Sequence, residues 1–133
     1  MEFGLSRLST EIKNSKELIM KINNAKTTKV EKYGVGCSGC TVIGEKENSD
    51  TIVAHCTIYP NQKINKHIHK SCDVIYYILK GSGVVNVENE SKRVEVGDSI
   101  FIPKNTVHNI ENDTTEELEQ LFIGPVNYDV VFV

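Results

Sequence analysis

No uninterrupted run of about eighteen apolar residues occurs anywhere in the 133-residue sequence, so it offers no candidate for a membrane-spanning helix. Nor is there a basic stripe. The net charge is −3 with an isoelectric point near 5.8, and the lysines are scattered among Glu and Asp, which argues against nucleic acid as a direct partner. The opening residues Met1 to Arg7 lack a charged segment followed by an apolar one, so a soluble, cytoplasmic protein is expected. A second Cys-x-x-Cys to partner Cys37 and Cys40 is missing too, and a zinc ribbon needs both pairs. The four cysteines are therefore read as reduced thiols, with Cys37 and Cys40 as small packed residues at a strand entrance. No internal repeat or low-complexity segment appears, and the length suits one domain with its own core.

What is present changes texture once along the chain. In residues 1–33, Leu8, Ile12, Ile19 and Ile22 recur at helix-like intervals, and Ser15 can cap a short helix over about 16–24. An N-terminal helical arm is expected there. From Gly34 to Val133 the pattern becomes short apolar or alternating runs, at about 40–46, 51–59, 73–80, 83–88, 92–96, 99–102, 106–111, 117–123 and 127–132. Turn-forming stretches such as Glu47 to Asp50, Lys80 to Gly83 and Glu88 to Ser91 separate them. So many strands in about a hundred residues leave no room for crossover helices, and the expected class is all-β, an antiparallel sandwich or barrel.

The candidate chemistry lies in three of the four histidines. On a strand, residues i and i+2 share a face, so His67 and His69 can present their imidazoles to one ion. His108 would join them from elsewhere in the sheet, with Val107 and Asn109 facing away. His55 alternates with Ala54 and Cys56 and is expected to face outward, while Cys56 shares the inward face with Ile52, Ala54 and Ile58. Of Tyr76 and Tyr77 only one can face inward, and a regular strand selects Tyr76, either as a packed ring or as a phenol that orients a substrate or donates a proton. The acidic run from Glu111 to Glu119 is read as a solvated turn. The apolar end, Tyr128 to Val133, should be paired within the barrel or across a dimer.

His67-Ile68-His69 followed by Gly81, then Gly97, Pro103, Asn105, His108 and Asn112 in the spacing Gly-x5-Pro-x-Asn-x2-His-x3-Asn, resembles the two motifs of the cupin superfamily over residues from about 40 to 124. The resemblance implies a jelly-roll barrel, or double-stranded β-helix, with a divalent transition metal (Fe, Mn, Ni, Co, Cu or Zn) held by the histidines. It also implies a homodimer and a small-molecule substrate, but because the superfamily is diverse it does not fix the reaction. Asn105 stands where the family has a glycine, and Asn is the residue most able to take the left-handed turn required. The family's acidic or amide ligand, counted back from Gly81, falls on Val74, so three arrangements stay open: three histidines with water, Asp73 turned inward by a bulge, or Cys72 as a thiolate. The resulting expectation is an enzyme acting on an oxygenated small molecule by isomerase, lyase or dioxygenase chemistry, with a non-catalytic binding module as the alternative.

Overall fold

A computed structural model describes residues 19–133, which form two antiparallel sheets. The larger has the order β1 (Glu31–Lys32), β2 (Cys37–Ile43), β3 (Thr51–Ile58), β10 (Leu118–Pro125), β5 (Val74–Lys80), β8 (Ser99–Ile102). The smaller has the order β11 (Val131–Phe132), β4 (His67–Ile68), β9 (His108–Glu111), β6 (Ser82–Val87), β7 (Glu90–Glu95). From β4 onward the chain changes sheet at every connection except the β6–β7 hairpin. This is the double-stranded β-helix expected from the sequence.

Alternation along the strands makes the core. In β5, Val74, Tyr76 and Ile78 are buried while Ile75, Tyr77 and Leu79 are exposed. In β10, Leu118, Gln120 and Phe122 face inward, and β3 contributes Ile52, Ala54 and Ile58. The smaller sheet adds Val85, Val94 and Ile110. Ile58, Ile78, Ile110 and Leu118 retain no solvent exposure, and they anchor the apolar part of the lumen. Burial of one such side chain contributes about 1.5–3 kcal/mol.

Two glycines of the motif pattern have different physical reasons. Gly81 has φ +80, and a Cβ there would collide with the Glu117 carbonyl oxygen, so the β5–β6 turn is pinned against the start of β10. Gly97 has φ +94 with open space around it, so conformation alone demands glycine. Asn105 takes φ 62, the left-handed turn expected of it.

The amino-terminal expectation fares differently. Residues 16–18 of the expected helix, and the arm before them, lie outside the described residues, and Ile19 to Asn24 carry no helix. The one helical element here is a 3-10 turn at Ala25–Thr27. Local bonding shapes this turn: the Asn24 side chain accepts from Lys26 N at 2.8 Å, and the Thr27 and Thr28 hydroxyls donate to Asn24 O at 3.2 and 2.7 Å. The sheet begins before Gly34, because Glu31 and Lys32 pair with Gly39 and Ser38. At the other end, Val131 and Phe132 pair with Ile68 and His67, so the apolar terminus is paired within the barrel. That pairing covers only two residues of the longer strand expected over 127–132.

Cys37 and Cys40 are buried free thiols on β2. Three residues apart on a strand, they point to opposite faces. Cys37 Sγ donates to Tyr33 O at 3.2 Å and Cys40 Sγ to Ala25 O at 3.8 Å, so each is packed separately.

Candidate metal centre

The β4 strand and the residue after it bring His67 and His69 into the lumen, and the direct cross-strand pairing of His67 with His108 on β9 supplies the third ring. All three are buried, with 6%, 3% and 1% of their surface exposed. Ring centroids are 4.3 Å apart for His67 and His108, and 5.0 Å for each of the other two pairs. One nitrogen from each ring lies within 4.8 Å of the others, and this trio is the group with ligand-like geometry among the described residues.

Hydrogen bonding decides what those nitrogens present. Nδ1 of His67 lies 2.8 Å from Asn65 O, Nδ1 of His69 lies 2.6 Å from Asp129 O, and Nδ1 of His108 lies 3.0 Å from Thr106 O. A carbonyl oxygen can only accept, so each Nδ1 carries the proton and each Nε2 is left with a bare lone pair. The Nε2 atoms of His69 and His108 are buried without any hydrogen-bond partner. Burial pushes the His67 imidazole below its ordinary range, against an opposing pull from its bond to Asn65 and with help from His69. His108 is pushed down to about 4, first by burial and then by the neighbouring rings, against its bond to Thr106. Neutral rings with converging, unused lone pairs are the donor set that a transition metal takes, and the carbonyl-bound Nδ1 atoms fix ring orientation. The three histidines fit a metal ion.

Other segments hold this geometry. Asn105 N donates to His69 O at 2.7 Å, tying the left-handed turn before His108 to the end of the His-x-His strand. The carboxylate of Asp129 accepts from Lys70 N (3.0 Å), Ser71 N (3.1 Å) and Ser71 Oγ (2.5 Å), which hold it down to about 2. The same residue's carbonyl takes His69 Nδ1, so the carboxy-terminal segment straps the site. Tyr128 and Phe132 pack on it, 5.9 Å from His69 and 5.8 Å from His67. Nothing in the sequence pattern pointed to Asp129, because its role comes from a contact across sixty residues.

Register places Val74 and Asp73 relative to the three rings. Val74 pairs with Ile102 and Tyr76 with Ile100 in an unbroken ladder, so Val74 faces the lumen and Asp73 does not. Asp73 is exposed, and its carboxylate accepts from Lys104 N at 2.8 Å. Cys72 is half-buried against the core with its thiol pushed up, chiefly by burial, and it stands outside the ligand group. Among the described residues the ligand-like group holds His67, His69 and His108, and neither Asp73 nor Cys72 joins it. Tyr76 is inward as expected, its ring 6.1 Å from His108, and burial keeps its phenol protonated well beyond the ordinary range. His55 faces outward and meets Glu119 at 3.1 Å, with Lys80 joining that carboxylate at 3.5 Å. Asp113 of the acidic run pairs with Arg93. Asn112 is structural: its amide donates to Ile58 O and Glu116 O, and its oxygen accepts from Thr114.

Gln120 was not singled out from sequence. It lies on β10 between Leu118 and Phe122, is 1% exposed, and its Oε1 has no hydrogen-bond partner. The strict alternation of its strand was the available signal, since it places a polar residue among core positions.

Comparison with known proteins agrees with this architecture. The chain is 40% identical to an uncharacterised protein of Methanocaldococcus jannaschii over 60 residues, and 32% identical over 60 residues to the tetracenomycin polyketide synthase protein TcmJ of Streptomyces glaucescens. These matches take in 45% of this chain in each case and 48% and 40% of the relatives, so the chain spans about half the length of the curated relatives it matches. Among solved structures, the polyketide cyclase RemF from Streptomyces resistomycificus superposes with a TM-score of 0.77 at 20% identity, covering 86% of this chain and 85% of that one. The oxalate decarboxylase of Lactobacillus farciminis superposes with a TM-score of 0.71 at 21% identity over 81% of this chain and 34% of that one. The family model described as Cupin domain matches residues 54–124, more than half of the sequence and the stretch that carries all three histidines. With the barrel and both motifs in place, this chain belongs to the cupin family.

Proposed function

We propose that this protein is a metal-dependent enzyme in which His67, His69 and His108 hold one divalent first-row ion and a small oxygenated molecule, a sugar, sugar acid or other carboxylate, is the substrate. The observation that carries this reading is the set of three carbonyl-anchored Nδ1 atoms, which leaves three Nε2 lone pairs converging in a buried space, two of them without partners. Iron, manganese, nickel, cobalt, copper or zinc bound there would supply a Lewis acid able to polarise a carbonyl oxygen, and a redox-active one would add oxygen chemistry. The chain's own residues do the rest. Three neutral rings leave the ion's charge uncompensated, which favours an anionic oxygen donor. Tyr76, kept protonated by burial, serves as a hydrogen-bond or proton donor beside His108, and Phe122 and Tyr128 narrow the space and keep water out. Isomerisation, elimination or hydration suits this arrangement, with dioxygenation as the runner-up chemistry. Polyketide cyclase and oxalate decarboxylase among the similar structures are in keeping with an oxygen-rich substrate.

One observation favours a non-catalytic binding module instead: the buried polar residues among those described include no Asp or Glu, so no carboxylate base faces the lumen. Elemental analysis should find about one metal per chain, and His67→Ala or His108→Ala should abolish it; retention of metal by both variants ends the metal reading. Reconstitution with each metal, followed by metabolite depletion with and without oxygen, separates isomerase or lyase from dioxygenase. Tight retention of a molecule without turnover selects the binder.

The assembly we propose is a homodimer. The outer face of the larger sheet exposes Ile75, Tyr77, Leu79 and Phe101, an apolar patch of the kind that a second copy covers. Tyr77→Glu should yield a monomer in sedimentation, and an unchanged mass for that variant would remove this face from the interface. No helix among the described residues is long and apolar enough to cross a membrane, and the four free thiols suit a reducing, cytoplasmic setting.

A further inference from the structure

Three buried side-chain polar atoms among the described residues have no hydrogen-bond partner: Nε2 of His69, Nε2 of His108 and Oε1 of Gln120. Two belong to the metal centre. The third shares its lumen. Gln120 is one inward step along β10 from Phe122, whose ring lies 5.9 Å from that of His69, and residues i and i+2 on a strand are about 7 Å apart. Across the sheet it is level with Ile78 and Cys56, one layer deeper than Tyr76. Its neighbours across the sheet are the apolar Ile78 and the thiol of Cys56, and its Oε1 is buried with no hydrogen-bond partner.

The neighbouring strand β5 is irregular opposite this residue. Glu119 pairs with Lys80 but Gln120 pairs with Ile78, so the register slips by one residue and Leu79 is extra. The bulge therefore belongs to β5, and the inward aim of Gln120 comes from the regular alternation of β10. A buried amide without a partner is unfavourable for folding, and an apolar residue of the same length would relieve it. Because amide oxygen and nitrogen exchange places on a flip, the position can offer either an acceptor or a donor, which suits a hydroxyl group.

We propose that Gln120 is the ligand-orienting residue of the three-histidine pocket, selecting a short carboxylate that carries a hydroxyl group on its third or fourth carbon, the carboxyl carbon being the first. This rests on the metal reading above. The carboxylate answers the uncompensated charge of an ion held by neutral rings; the hydroxyl reaches the orphaned amide one layer deeper, and the carbons between lie against Phe122 and Tyr76. A ligand with more polar groups would leave them unpaired against those walls.

The test uses cobalt(II)-loaded wild type and Gln120→Met, with cobalt per chain measured first. Each is titrated with 3-hydroxypropanoate and 4-hydroxybutanoate and, as apolar controls, butanoate and pentanoate, followed by the cobalt visible spectrum. Wild type should bind one of the hydroxy acids at least about tenfold more tightly than its apolar control, the usual worth of one buried hydrogen bond to a ligand. Gln120→Met should lose that preference, hold cobalt as before, and melt a few degrees higher without metal because the unpaired amide is gone. Equal preference in wild type and variant, or no preference in wild type, overturns the role of Gln120. Failure of wild type to take up cobalt is a different result and overturns the metal reading beneath it.

Discussion

The metal-free protein should lose stability on mild acidification, and His108 sets the size of the effect. Its pKa is about 4 in the folded protein against 6.5 for an ordinary imidazole, because burial among two other rings disfavours the charged form. Between those values the unfolded chain binds a proton that the folded chain refuses, so stability rises with pH across the window and falls as pH drops through it. For one such group the loss between pH 7 and pH 5 is about 2 kcal/mol, approaching about 3 kcal/mol near pH 4, after which both states are protonated and the loss stops growing. His67, also lowered, adds to it with the same sign. Asp129, held down to about 2, loses its contribution at more acidic pH, so confining the measurement to pH 5–7 separates the two. Urea titrations of chelator-treated protein at half-unit pH steps give the slope, and His108→Leu, which has nothing to titrate, should flatten it by about that amount. Saturating zinc should extend the fall below pH 4, since a coordinated ring holds no proton. A wild-type curve that is flat from pH 7 to 5, or a slope unchanged in His108→Leu, would refute the assignment of a buried neutral imidazole.

Three further outcomes follow from single contacts. Gly81→Ala should destabilise by about 3 kcal/mol or more in denaturant titration, because a left-handed φ and a collision with the Glu117 carbonyl act together. Asn105→Gly should be almost neutral whereas Asn105→Val should cost about 1–3 kcal/mol and weaken metal retention, as the left-handed turn carries the bond to His69 O. Asp129→Ala should lower metal affinity about tenfold to a hundredfold in chelator competition, through loss of the bonds that clamp Lys70 and Ser71 beside His69, with a smaller effect from Ser71→Ala.

The barrel and its three inward imidazoles were legible in the pattern of residues alone. Alternation in residues such as Val74, Tyr76 and Ile78 states which face is buried, and the i, i+2 relation of His67 and His69 needs only one strand to be true. Asn105 was legible for the same reason, since its backbone preference is local. Most of the remaining features depend on contacts between distant segments. Whether Asp73 or Val74 faces the lumen depended on the β5–β8 register, a pairing across nearly thirty residues that no local pattern encodes. Ile19 to Asn24 carry no helix, and the 3-10 turn that follows is held by bonds to Asn24 that hydrophobic spacing does not reveal. The strap from Asp129 and the unpartnered amide of Gln120 exist only once distant segments are brought together, because a hydrogen bond made or missing is a property of neighbours in space.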